Sequence, residues 1–80
     1  MHEAKLCLSL LALAERSAAE AGAARILAVE LAVGEWSGCV PEALAAAFPI
    51  CAQGTKAAGA ALRIERVPGV DLVLRALEVS

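Results

Sequence analysis

From Glu3 to Ala21 apolar residues recur at helical spacing. Leu6, Leu10, Leu13, Ser17 and Ala21 form one stripe, Cys7, Leu11, Ala14 and Ala18 widen it, and Lys5, Ser9, Ala12, Arg16 and Glu20 lie opposite. Gly22 stands where a left-handed C-terminal cap is expected. The period then changes to two: Arg25 to Val33 reads as a strand with Leu27, Val29, Leu31 and Val33 on one face and Ile26, Ala28, Glu30 and Ala32 on the other. Gly34 ends it and opens a loop through Gly38. A second helix is predicted from Pro41 to about Ala52, with Pro41 at the first helical position, Glu42 in the first turn, and Leu44, Phe48, Cys51 and Ala52 inward. Pro49 removes a backbone hydrogen bond, so a kink or an early end is expected there. Ala61 to Val67 is the second strand, with Leu62 and Ile64 inward. After the turn at Pro68-Gly69, Asp71 to Val79 is the third, whose parity slips between Leu72/Leu74 and Leu77/Val79. A bulge near Arg75-Ala76 would repair that register.

These elements predict an α+β fold of order α-β-α-β-β, two helices packed on one face of a small three-stranded mixed sheet. The helix between the first two strands suits a parallel crossover, and the short turn before the third suggests that the last two strands form a hairpin. The uncovered face would carry Ile26 and Ala28 beside Glu30. An apolar face of that kind, with a tight hinge that favours strand exchange, predicts a homo-oligomer.

Composition narrows the function. The 80 residues carry a formal net charge of −2, with seven basic residues scattered rather than clustered. A nucleic-acid surface needs clustered Lys and Arg, so none is expected. The chain is 60% hydrophobic, much of it alanine, yet no apolar run approaches the roughly 20 residues of a membrane span. Glu3 and Lys5 precede the first apolar run, unlike a secretory leader, and the protein is expected to be cytoplasmic. Cys7, Cys39 and Cys51 are three in number and widely spaced; they fit neither a disulfide framework nor a Cys-x-x-Cys zinc ribbon and read as reduced, mostly buried thiols. No nucleophile–base pair or phosphate loop is apparent, so no catalytic site and no enzyme is expected.

The one histidine is His2. At the second position its ring nitrogen, its backbone nitrogen and the terminal amine of Met1 can converge, and the backbone nitrogen of Glu3 can complete a planar set of four. Such a set suits nickel(II) or copper(II) better than zinc. A frayed, solvated end is the competing reading. Cys7 is near in sequence and thiolates bind soft metals, but its place on the apolar stripe makes it a core residue.

Met1-His2-Glu3, Leu6-Cys7, Ser9-Leu10-Leu11, Gly34-Glu35-Trp36-Ser37-Gly38, Pro41-Glu42-Ala43-Leu44, Ala47-Phe48, Gly54-Thr55, Ala60-Ala61-Leu62-Arg63-Ile64-Glu65 and Leu77-Glu78-Val79 resemble, in order and spacing, the HypA/HybF family of nickel metallochaperones. The resemblance implies nickel(II) binding by His2 and the backbone at His2 and Glu3, with the amine of Met1, and a role in maturing nickel–iron hydrogenase or, in some organisms, urease. It implies as partners the hydrogenase large subunit and a HypB-type GTPase.

Two departures from the family pattern stand out. The family inserts a zinc domain with paired Cys-x-x-Cys motifs between the second and third strands, whereas here Val67-Pro68-Gly69 runs into Val70-Asp71-Leu72. Residues 1–80 are therefore expected to be a single nickel-binding domain lacking the zinc-ribbon insertion, without structural zinc. Some members also bind nickel with an acidic residue near the position of Val40, which valine cannot do; Glu35 or Glu42 could substitute. Trp36 either anchors a partner or folds back over the small core. A module that keeps the fold for docking or self-association without metal is the alternative function.

Overall fold

The computed structural model describes residues 2–80; Met1 and the side chain of His2 lie outside the described residues. The elements are α1 (His2–Glu20), β1 (Ile26–Gly34), α2 (Pro41–Cys51), β2 (Ala61–Val67) and β3 (Leu72–Val79), the expected α-β-α-β-β order. Helix α1 stops as its glycine predicts. Gly22 adopts φ +70°, and its N–H donates to the Ala19 carbonyl while that of Ala23 donates to Ala18. These paired bonds close the last turn, and only a residue without Cβ enters that conformation cheaply. Helix α2 starts at Pro41 and continues past Pro49 to Cys51, so the early end does not occur. Ala45 and Pro49 are both exposed, and the carbonyl that loses its partner to proline lies on the water side.

The sheet order is β2-β1-β3. β1 runs parallel to β2, from Ala28 opposite Ala61 to Gly34 opposite Val67, and antiparallel to β3, from Ile26 opposite Val79 to Val33 opposite Leu72. The expected β2–β3 hairpin is therefore wrong. The two strands flank β1, and residues 68–71 arch over its end. Gly34 makes the crossing possible: a Cβ there would lie 2.6 Å from the Gly69 carbonyl oxygen and 2.8 Å from that of Asp71. The arch is tied down by N–H groups of Gly34 to Asp71 O (2.8 Å), Glu35 to Val67 O (2.8 Å) and Trp36 to Gly69 O (2.9 Å).

The bulge expected near Arg75-Ala76 is present, since Glu30 pairs with Ala76 but Leu31 with Leu74. A second register shift, between Ile26 and Ala28, was not expected. It turns Ile26 into the core and leaves Leu27 exposed, reversing the faces assigned to both. The core lies between one sheet face and the helices: Cys7, Leu10, Leu11, Ala14 and Ala18 of α1, Leu44 and Phe48 of α2, and Ile26, Val29, Leu31 and Val33 of β1. Leu13, Ser17 and Ala21, placed inward on the sequence stripe, are exposed, because α1 presents the Cys7–Leu11–Ala14–Ala18 line instead.

The open sheet face is not the apolar surface expected. Arg63 of β2 reaches Glu30 (3.3 Å) and Glu78 (3.5 Å), and Arg75 pairs with Glu65. Ala28 and Ala32 are nevertheless buried there; small side chains on the central strand sit beneath the long charged ones of its neighbours.

The segment after α2 is held by α1 and the start of β1. The Lys56 N–H donates to Glu15 Oε2 (2.9 Å) and its ammonium to the Ala23 carbonyl (3.0 Å). The Lys56 carbonyl accepts from the Ile26 N–H at 2.9 Å.

Candidate metal site

Helix α1 begins at His2, so His2 and Glu3 occupy its first turn. Backbone N–H groups at that position have no acceptor within the helix, and metal coordination by them does not break the helical ladder. The helix end carries partial positive charge, which the Glu3 carboxylate offsets. Of the expected nickel-binding groups, Met1 and the His2 imidazole lie outside the described residues, while the backbone of His2 and all of Glu3 lie within them.

Beside this first turn is an open cavity of about 550 Å³. One wall is α1, through Glu3, Lys5, Leu6 and Ser9; the other is the loop before α2, through Ser37, Gly38 and Cys39. The loop is shaped locally. Gly38 takes φ +82°, a conformation that suits glycine. The Ser37 hydroxyl accepts a hydrogen bond from the Cys39 N–H at 3.2 Å, a side-chain turn typical of serine.

The cysteines divide by environment. Cys7 is fully buried in the core, as expected, with its thiol 3.7 Å from the Leu44 carbonyl oxygen. Burial, with Cys51 and Cys39 nearby, pushes that thiol up to about 11, leaving it protonated at neutral pH. Cys39 and Cys51 are only partly buried, a correction to the expectation of mostly buried thiols. The Cys39 thiol is raised by burial first and then by the Glu3 carboxylate, and both residues line the cavity.

The acidic residues considered as replacements at Val40 are elsewhere. Glu42 pairs with Arg66 of β2, and Glu35 is exposed, its N–H engaged by the arch. Val40 itself is half exposed. Trp36 is 74% exposed and Val70 68%, so Trp36 does not close over the core. Cys39, Ser37 and Ser9 line the cavity, a place the sequence alone assigned to none of them. Tertiary folding brings them beside Glu3, and no periodicity signals that meeting.

Among the described residues no group of three or more His, Cys, Asp or Glu side chains is arranged to hold a metal ion. No helix among the described residues is long and apolar enough to cross a membrane.

The family model described as HypA, hydrogenase/urease nickel incorporation, metallochaperone, matches residues 1–71, which include both cavity walls and stop just before β3. A protein called hydrogenase maturation factor HypA from Deinococcus radiodurans is 60% identical over 70 residues, covering 88% of this chain and 58% of its own length. Proteins of the same name from Geobacter sulfurreducens (48% over 69 residues, 86% and 60% covered) and Roseiflexus sp. (46% over 68 residues, 85% and 55% covered) are also similar. The chain thus spans little more than half the length of these relatives. With the match running from the first residue through both cavity walls to the arch, the chain belongs to the HypA family of hydrogenase/urease nickel-incorporation metallochaperones.

Proposed function

We propose that this chain is a nickel-binding accessory protein for the maturation of nickel–iron hydrogenase and not an enzyme. Nickel(II) is its cargo. The ion is held by the His2 imidazole, the backbone nitrogens of His2 and Glu3 and the amine of Met1, then passed to a hydrogenase large subunit, directly or with a HypB-type GTPase. The observation that carries this reading is the family match over residues 1–71, which includes those three residues. Support also comes from the start of α1 at His2, where backbone nitrogens are outside the helical ladder.

Each of these nitrogens binds only when its lone pair carries no proton, so affinity falls as pH falls. Residues 1–80 act as one nickel-binding unit. No structural zinc is expected, because Cys7 is committed to the core and no Cys-x-x-Cys pair exists. The proposed setting is cytoplasmic.

The test is calorimetric titration of nickel(II) into untagged protein beginning at Met1, beside His2→Ala. Binding by the wild type that disappears in the variant supports the reading; no binding, or equal binding, removes it.

The alternative, a docking or self-association module, is favoured by the exposure of Trp36 and Val70 on two adjoining loops. Support for a homo-oligomer also moves from the charged sheet face to Leu8 and Leu13 on the outside of α1. Partner capture unchanged by His2→Ala would favour docking, and a monomer by light scattering at high concentration would count against self-association.

A further inference from the structure

We propose that Cys7 and Cys51 are a redox-sensitive pair that closes a reversible disulfide between α1 and α2. The proposal is independent of the nickel-binding reading above.

The carrying observation is the way the two helices meet. Cys7 is fully buried on α1, and its sulfur lies 3.7 Å from the Leu44 carbonyl oxygen of α2. Cys51 stands seven positions after Leu44 on α2, nearly two whole turns, so both project from one face of that helix. This face is the packed one: Leu44 belongs to the core, and Cys51 packs against it from the edge. The Cys51 side chain accordingly lies within hydrogen-bonding reach of the Cys7 thiol. Cys39 instead sits on the loop before α2 and lines the cavity beside Glu3, which neither Cys7 nor Cys51 does.

The end of α2 allows the sulfurs to close up. A disulfide bond is shorter than a thiol contact, so one partner must approach the other. Cys51 is the last residue of α2, and Pro49 has taken one N–H from the final turn. The Gln53 N–H beyond it makes only a long bond, 3.4 Å, to the Ile50 carbonyl. Movement is therefore easiest at Cys51, while Cys7 stays in the core.

Exposure assigns the roles. Cys51 is partly exposed and meets the oxidant, and Cys7 is enclosed beside it. The oxidant is a small-molecule disulfide. The Cys51 thiol gives its proton to solvent, and its sulfur attacks one sulfur of the reagent. The reagent's S–S bond breaks, a mixed disulfide forms on Cys51, and one thiolate leaves and takes up a proton. Cys7 then loses its proton and attacks Sγ of Cys51, expelling the second thiol. Two protein thiols are oxidised, and one disulfide is reduced to two thiols. Burial holds the Cys7 proton tightly, so the second step is the slow one. Closure joins the helix that carries one cavity wall to the helix that follows the other, and so fixes the spacing of the two walls.

The experiment equilibrates folded wild type, Cys39→Ser and Cys51→Ser with mixtures of reduced and oxidised glutathione. Samples are quenched in acid, alkylated with N-ethylmaleimide and read by intact and peptide mass spectrometry. Wild type and Cys39→Ser should pass through a glutathione adduct on Cys51. They should then lose two hydrogens, with Cys7 and Cys51 found in one cross-linked peptide that dithiothreitol separates. Cys51→Ser should form no internal disulfide. The oxidised wild type should unfold at a higher urea concentration than the reduced protein, because the bond restricts the unfolded chain. The wild-type and Cys39→Ser readouts leave both members of the pair intact, so they do not depend on how the core tolerates a change at Cys7. A glutathione adduct that never advances, no oxidation at any mixture, a cross-link through Cys39, or one that forms only in urea overturns the proposal. An internal disulfide that lowers the urea midpoint overturns it as well, since the folded helices would then not accommodate the bond.

Discussion

Substituting Gly34 by alanine tests the topology directly. The added Cβ would sit 2.6 Å from Gly69 O, 2.8 Å from Asp71 O and 2.9 Å from Asp71 N. All three are backbone atoms, so no side chain can swing aside, and the arch would have to retreat by most of an ångström. Forcing an extra methyl into a packed site costs about 1–3 kcal/mol. The retreat also stretches the three bonds from Gly34, Glu35 and Trp36, each worth about 1 kcal/mol net when intact. Gly34 does not have positive φ, so alanine recovers about 0.4–1 kcal/mol by restricting the unfolded chain.

The net expectation is a loss of about 2–3 kcal/mol, or roughly 10–20 °C in Tm for a domain of this size. Urea unfolding followed by far-ultraviolet circular dichroism measures the loss, and amide hydrogen exchange at residues 34–36 locates it. Gly54→Ala is the control: φ is +77° with nothing within 4 Å of the added Cβ. It should cost about 1 kcal/mol through backbone strain alone and leave those amides protected. A Gly34→Ala protein within about 0.5 kcal/mol of wild type, or one destabilised with exchange at 34–36 unchanged, would refute the steric account.

Two further predictions concern the core and its edge. The Cys7 thiol ordinarily titrates near 9.0 and is held up to about 11 by burial, so the folded protein keeps a proton that the unfolded chain releases. The stability this contributes is intact below pH 9 and is lost as pH rises toward 11, on the order of 2 kcal/mol; urea midpoints from pH 8 to 11 should fall, and Cys7→Ala should flatten most of the slope. Glu15→Ala removes the acceptor of the partly buried Lys56 N–H and should destabilise by about 1–3 kcal/mol, read as a lower urea midpoint, while Glu20→Ala on the exposed side of the same helix should change it little.

Local features of the chain were legible because they depend on nearest neighbours. The helical spacing from Leu6 to Ala18, the proline opening α2 and the glycine closing α1 each act within a turn or two. The bulge at Arg75 was also legible, because leucines on opposite parities of β3 leave a visible slip. Its counterpart at Leu27 was not. Apart from Glu30, β1 is apolar on both parities, so moving Ile26 inward and Leu27 outward leaves no mark on the pattern.

That same two-sided apolar run is what a central strand requires, buried by neighbours along both edges, and it was the available sign that β2 and β3 flank β1. A four-residue link can turn back or arch across, and its length does not decide between them. Gly34, by leaving room for the crossing, does. For the proposed site, the sequence alone marked the amino end, since the chemistry of Met1-His2-Glu3 is written in adjacent residues. The neighbourhood of Cys39 and Glu3 was settled only in three dimensions, where a loop 36 positions away is folded against the first turn of α1. Contacts that distant are set by packing around the whole core, and no repeat along the chain encodes them.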